Sequence, residues 1–125
     1  MSLQPTIEIC DNYLLVTHPP TKAGNTEAQN FAAELADVCD RENIHRVLLD
    51  EQKITYTVDN IFDLMGIGDK LLKDMLVFRF HRLACVPGKE QLQIAKDFES
   101  VARNRGMNYR VFEKLEDAKN WLLKE

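Results

Sequence analysis

The chain reads as an α/β domain built on one open, five-stranded, mostly parallel mixed sheet with four helices on both its faces. Three observations predict this. Short runs rich in Val, Ile and Leu alternate with longer stretches whose apolar residues recur every three or four positions, the two periodicities of strands and half-buried helices. The segments run strand, strand, helix, then three strand–helix units, and helices between strands imply crossovers and a parallel sheet. Val47-Leu48-Leu49 is apolar at consecutive positions, as a strand covered on both faces requires.

The elements follow in order. Residues 6–10 and 13–17 are apolar runs separated by Asp11-Asn12, a hairpin signal, and Pro19-Pro20 ends the second strand. A first helix opens at Gly24-Asn25-Thr26, with Thr26 and Gln29 spaced as a capping box. It buries Ala28, Phe31, Ala32, Leu35, Val38 and Cys39. Residues 45–50 form the third strand. Thr57 is placed to cap a second helix whose inner stripe is Ile61, Leu64, Met65, Gly68, Leu71, Leu72 and Met75. Residues 80–86 form a fourth strand, stopped by Pro87-Gly88. A third helix turns Leu92, Ala95, Phe98 and Ala102 inward and ends near Gly106, a residue suited to a left-handed C-terminus. Residues 109–112 form the last strand, and a closing helix buries Leu115, Ala118, Trp121 and Leu122.

Patterning runs unbroken through all 125 residues, so a single domain spanning 1–125 is expected. Hydrophobic residues make up 45% and charged residues 29%, the balance of a globular chain. A net charge of −4 without a basic cluster argues against nucleic acid, whose binders neutralise phosphates with gathered Lys and Arg. The N-terminus lacks the basic start and apolar stretch of a secretory leader. The densest apolar region, residues 61–80, is broken by Asp63, Asp69, Lys70, Lys73, Asp74 and Arg79 and is unfit to span a bilayer. Cys10, Cys39 and Cys85 are an odd number without close spacing, which suits small apolar core residues in a reducing cytoplasm.

Ligands of parallel sheets usually sit at the carboxyl ends of the strands. That rule marks residues 19–25, 50–60, 87–90 and 113–114 as the functional rim. Metal chemistry finds little support there. His18, His45 and His81 belong to different strands and read as surface or boundary residues. A His81–Cys85 pair fails, because positions four apart on a strand lie roughly 13 Å apart. Asp59 and Asp63 share a helix face within view of Asp50 and Glu51, a set able to hold Mg²⁺. Acids in a first helical turn more often simply complement the helix dipole. Asp50 ends an apolar strand as a receiver-type phosphoacceptor does, but the acids and the Lys-Pro that such chemistry needs are missing. Residues 21–25 and 87–89 each set a glycine and a lysine before a helix, where free N–H groups could cradle an anion, but neither is a P-loop, and neither Cys-x-x-Cys nor Gly-x-Gly-x-x-Gly occurs. No catalytic residue and no cofactor is expected.

Gly66 and Gly68 are the oddest local feature. Each costs about 0.8–1 kcal/mol relative to Ala inside a helix. They predict a kink, or the close approach of another backbone or a ligand. Beyond them, residues 71–78 are more apolar than one helix stripe needs. The surplus is either extra core cover or the lip of an apolar pocket or partner-binding surface.

The order of elements resembles the SpoIIAA-like fold of STAS domains and lipid-binding CRAL-TRIO domains, most of all the small stand-alone bacterial STAS/SEC14-type proteins. The likeness is carried by Arg46-Val47-Leu48-Leu49-Asp50, His81-Arg82-Leu83-Ala84-Cys85-Val86, the stretch from Phe98 through Arg103-Asn104-Arg105-Gly106, Arg110-Val111-Phe112 and Ala118-x-x-Trp121-Leu122. Most of these positions are structural. Anti-sigma-factor antagonists of the family carry a phosphorylated serine where this chain has Asp59-Asn60. The resemblance therefore implies a regulatory module without that switch, unless Thr55, Tyr56 or Thr57 substitutes.

The expectation is a non-catalytic module that binds a protein partner or a small apolar or anionic ligand. Its surface would comprise Glu51, Tyr56, Thr57, Asp59, Asn60 and Asp63 with Gly66, Gly68, Leu72 and Met75. Lipid contact at a membrane surface and homodimerisation both fit the apolar surplus. A phosphorylation-controlled antagonist and a small metal-dependent hydrolase or transferase using Asp50 and Asp59 stand as alternatives.

Overall fold

A computed structural model describes residues 3–124; Met1, where the leader reading began, lies outside them with Ser2 and Glu125. In chain order the elements are β1 (Thr6–Ile9), β2 (Leu14–Thr17), β3 (Thr21–Ala23), α1 (Asn25–Glu42), β4 (Arg46–Glu51) and β5 (Ile54–Tyr56). Then come α2 (Ile61–Lys73), β6 (Arg82–Pro87), α3 (Leu92–Asn104), β7 (Tyr109–Val111) and α4 (Leu115–Leu123). Single 3₁₀ turns occupy Leu76–Phe78 and Lys89–Gln91.

The main sheet has five strands in the order β1-β2-β4-β6-β7. The hairpin at Asp11-Asn12 makes β1 antiparallel to β2, and every later pairing is parallel. From β2 onward the sheet grows in one direction only. Crossovers of one hand in a sheet that grows one way must all lie on the same face. That is where α1, α2 and α3 sit, over Leu14, Val16, Val47, Leu49, Leu83 and Cys85. The chain then crosses over, and α4 covers the opposite face alone, packing Ala118 and Leu122 on Leu48, Ala84 and Val86. Helices therefore lie on both faces as expected, but three against one. Val47, Leu48 and Leu49 are all buried, as their unbroken apolar run requires.

The α4 face is finished with basic side chains. Arg46 donates to the Leu122 carbonyl at 3.1 Å and Arg82 to the Trp121 carbonyl at 2.8 Å, which meets the orphan carbonyls of the α4 C-terminus with positive charge. The guanidinium groups of Arg82 and Arg110 both lie over the Trp121 ring, 5.6 and 5.7 Å from its centroid.

Several sequence expectations need correction. The stretches after β2 and β4 are not plain loops: β3 and β5 pair in parallel as a separate two-stranded ladder. Pro19-Pro20 stops β2 from continuing, and three residues of strand resume beyond it. The α1 N-cap is Gly24, whose N–H donates to Glu27 at 3.0 Å, so Thr26 already lies inside the helix. The α2 cap is Asn60, whose side chain accepts from the Phe62 and Asp63 N–H groups. Thr57 spends its hydroxyl on the Ala23 carbonyl instead. Within α2 the buried stripe is Leu64, Ile67, Gly68 and Leu71, and Ile61, Met65 and Leu72 are exposed. The helix stops at Lys73, and Met75 follows in the left-handed region (φ 62°) with its side chain in solvent. Leu115 is exposed, and Cys10 is half-exposed at the hairpin while Cys39 and Cys85 are buried. Gly106 adopts a left-handed conformation (φ 89°) as expected.

Candidate functional site

Alternation along the strands decides what enters the site. Leu14 and Val16 of β2 point beneath α1–α3, and two residues on, His18 shares their face. Val47 and Leu49 of β4 do the same, and Glu51 follows. The parallel register sets Thr17 opposite Asp50, so His18 and Glu51 are neighbours at the carboxyl ends of adjacent strands. Immediately beyond them both chains leave the main sheet and enter the β3–β5 ladder. The rim that should have been open is roofed. His18 and Glu51 are each only 4% exposed.

Glu51 is the hub. The Tyr56 hydroxyl donates to Oε2 at 2.5 Å, and the Cys85 thiol donates to Oε1 at 3.4 Å. His18 Nε2 stands 3.4 Å from Oε2, within ion-pair range, and neither of its ring nitrogens makes a hydrogen bond. The His18 ring meets Phe31 edge-on, 5.0 Å between centroids. Burial first, and then the Glu51 charge, pushes Tyr56 well above the usual phenol range and Cys85 well above the usual thiol range. Tyr109 is raised as well, by burial and then by Cys85 and Glu51. These groups hold their protons, so Cys85 is a donor here and not a nucleophile.

Beside this cluster lies a cavity of about 110 Å³ between the sheet and the three helices. Glu51 and Tyr56 form its polar end. Most of the remaining wall is apolar, including Phe31 and Ala32 from α1, Ile67 from α2, Ile94 and Phe98 from α3, and Ile54 from β5. Gln91 contributes to the wall and accepts from the Tyr56 N–H at 2.9 Å, tying the α3 entrance to the roof.

The residues expected to form one surface divide into three groups. Glu51 and Tyr56 face inward. Thr57, Asp59, Asn60 and Asp63 gather at the α2 N-terminus, where the Asp63 carboxylate accepts from the Asp59 N–H at 2.9 Å. Gly66, Leu72 and Met75 face outward. Gly68 belongs with none of them: a Cβ there would lie 2.6 Å from Val101 and 2.9 Å from Arg105, so it lets α3 approach, and α2 runs through without a break. A Cβ on Gly66 would meet nothing. On the outer side Phe62 is 75% and Met75 59% exposed, with Ile61, Met65 and Leu72 also in solvent. At 100° per residue, Ile61, Met65 and Leu72 fall on the flank next to Gly68, which is turned toward α3.

Asp50 does not join Asp59. Its carboxylate accepts from the backbone and side chain of Gln52. Among the described residues no group of three or more His, Cys, Asp or Glu side chains is placed to hold a metal ion. The Tyr56 hydroxyl is engaged inside, whereas Thr55 and Thr57 are exposed.

His18 and Cys85 were not foreseen as neighbours of Glu51, and the surface-or-boundary reading of His18 is wrong, since it is buried. The period-two alternation Leu14, Val16, His18 was the available signal, obscured by the prolines that follow. Nothing local announces that the ends of β2, β4 and β6 meet around one carboxylate.

No protein-family model matches the chain, and no curated protein matches it significantly. Among solved structures, the anti-sigma factor antagonist SpoIIAA in its unphosphorylated form is similar over 83% of this chain and 100% of its own, at 8% identity and a TM-score of 0.47. A likeness that distant transfers no functional residue. Among the described residues no helix is long and apolar enough to cross a membrane.

Proposed function

We propose that the chain is a non-catalytic binding module that docks a protein partner on the outer flank of α2. The observation that carries this is the unburied apolar set on one side of that helix, Ile61, Phe62, Met65 and Leu72, continued by Met75. Single exposed apolar residues are ordinary, but a contiguous set on one element marks an interaction surface. Charge favours a protein over a bilayer. Asp59 and Asp63 border the patch, Lys70 is paired to Asp74 at 3.1 Å, and the chain carries −4 overall, so an anionic lipid surface is repelled. An apolar surface with a basic rim complements it.

The test is the paired substitution Phe62→Asp and Met75→Asp. Both side chains are in solvent, so circular dichroism and the thermal midpoint should match the wild type. A complex isolated with the wild-type chain and seen by native mass spectrometry should be lost from the variant. A complex that persists overturns the reading. So does a patch that covers itself, visible as a wild-type dimer that the variant makes monomeric, or one that binds anionic vesicles.

A further inference from the structure

The outer flank of α2 leaves the inside of the module unexplained. Burying a carboxylate is costly unless a cation or a full set of hydrogen bonds receives it. Glu51 has neither. Its two firm neighbours, the Tyr56 hydroxyl and the Cys85 thiol, are neutral donors. No lysine or arginine forms an ion pair with it among the described residues, and His18, the one basic group in reach, makes no hydrogen bond. An ionised carboxylate offers about four acceptor positions, of which two are occupied. The open positions belong to a group that lines the cavity.

The cavity is matched to a small body. An engineered apolar cavity of about 150 Å³ accepts benzene; this one, about 110 Å³, is smaller, so a body of that size enters as the half-buried part of its wall gives way. Its wall includes the half-buried Ala28, Ala32, Val58, Ile94 and Phe98 beside the fully buried Ile54, so one side lies near the surface and access needs no unfolding of the sheet. Two side chains on α1 that face the space are alanines, and larger ones would fill it.

We propose that this cavity is a binding site for a small primary amine, its apolar body between Phe31, Ile67 and Phe98 and its ammonium received by Glu51 with His18 beside it. An ammonium brings three donors and a permanent positive charge. A hydrocarbon of the same shape fills the space but leaves the carboxylate uncompensated. An anion of the same shape meets Glu51 as a like charge in a dry site, where Coulomb repulsion is least screened. The site stands apart from the α2 flank, so either can fail without the other.

Benzylamine, toluene and benzoate are the probes, titrated into the purified full chain by calorimetry, with the Ile54, Ile67 and Ile94 methyl resonances followed by NMR. Benzylamine should bind at least tenfold more tightly than toluene, benzoate should not bind, and those three methyls should move. Glu51→Gln should bring benzylamine down to the affinity of toluene and leave toluene unchanged. Ala32→Phe, which fills the space and leaves Glu51 in the sequence, should abolish binding of both. The proposal is overturned if benzoate binds as well as benzylamine, or if no probe binds. It also fails if benzylamine binding survives Ala32→Phe or keeps its advantage in a folded Glu51→Gln protein. Should Glu51→Gln not fold, the wild-type ranking and Ala32→Phe still decide.

Discussion

The two faces of the sheet are built on opposite plans. Beneath α4 the contact is dry and wholly apolar, Leu48, Ala84 and Val86 against Ala118 and Leu122, with polar groups held at the edge by Arg46 and Arg82. Beneath α1–α3 the main sheet and the β3–β5 ladder together bring a carboxylate, an imidazole, a thiol and two phenols next to unfilled space. A close-packed apolar layer already supplies stability, and polar groups with a cavity lower it. Costs of this kind concentrate where a protein binds something. The α4 side carries the smaller core, and the larger core beneath α1–α3 is the one that encloses polar groups and a cavity.

The largest expected effect tests the α4 side. Leu122 is fully buried, and Leu122→Ala should cost about 2–5 kcal/mol in urea unfolding. Enlarging a side chain separates the faces further. Ala118→Leu should destabilise by about 1–3 kcal/mol. Ala32→Leu, growing into the cavity, should change stability by less than about 0.5 kcal/mol or raise it. A loss above about 1 kcal/mol at Ala32 would erase the contrast.

Alkaline pH sharpens it differently. Burial raises the Cys39 thiol from 9.0 to about 11, and Cys85, Tyr56 and Tyr109 are raised too, all on the α1–α3 face. On the far side Tyr13 is raised, chiefly by its hydrogen bond with Cys10. Below the unfolded-state values these groups are neutral in both states, and the stability they confer is complete. As pH rises the unfolded chain ionises first, so stability falls, for Cys39 between 9.0 and about 11. Urea midpoints measured from pH 7.5 to 11 should decline across that window, and Cys39→Ala should flatten the decline.

The smallest effects lie within α2. Gly66→Ala should stabilise by about 0.5–1 kcal/mol through helix propensity alone, because nothing lies near its Cβ. Gly68→Ala should destabilise by about 1 kcal/mol, because Val101 and Arg105 must move aside. Thermal melts of the two variants should shift in opposite directions. Shifts of the same sign would mean that α2 and α3 are not held as closely as their glycine contact indicates.

The sequence by itself determined the strands of the main sheet, the four helices, the parallel crossovers and the left-handed Gly106, since each rests on periodicity or on one residue's backbone preference. It placed Glu51 and Tyr56 in a candidate site from their position at a strand end. Tertiary structure decided the rest. The gathering of three crossover helices on one face, the β3–β5 roof and the meeting of His18, Glu51 and Cys85 arise from register between strands far apart in the chain. Local patterning says which way a side chain points, but not what stands opposite it.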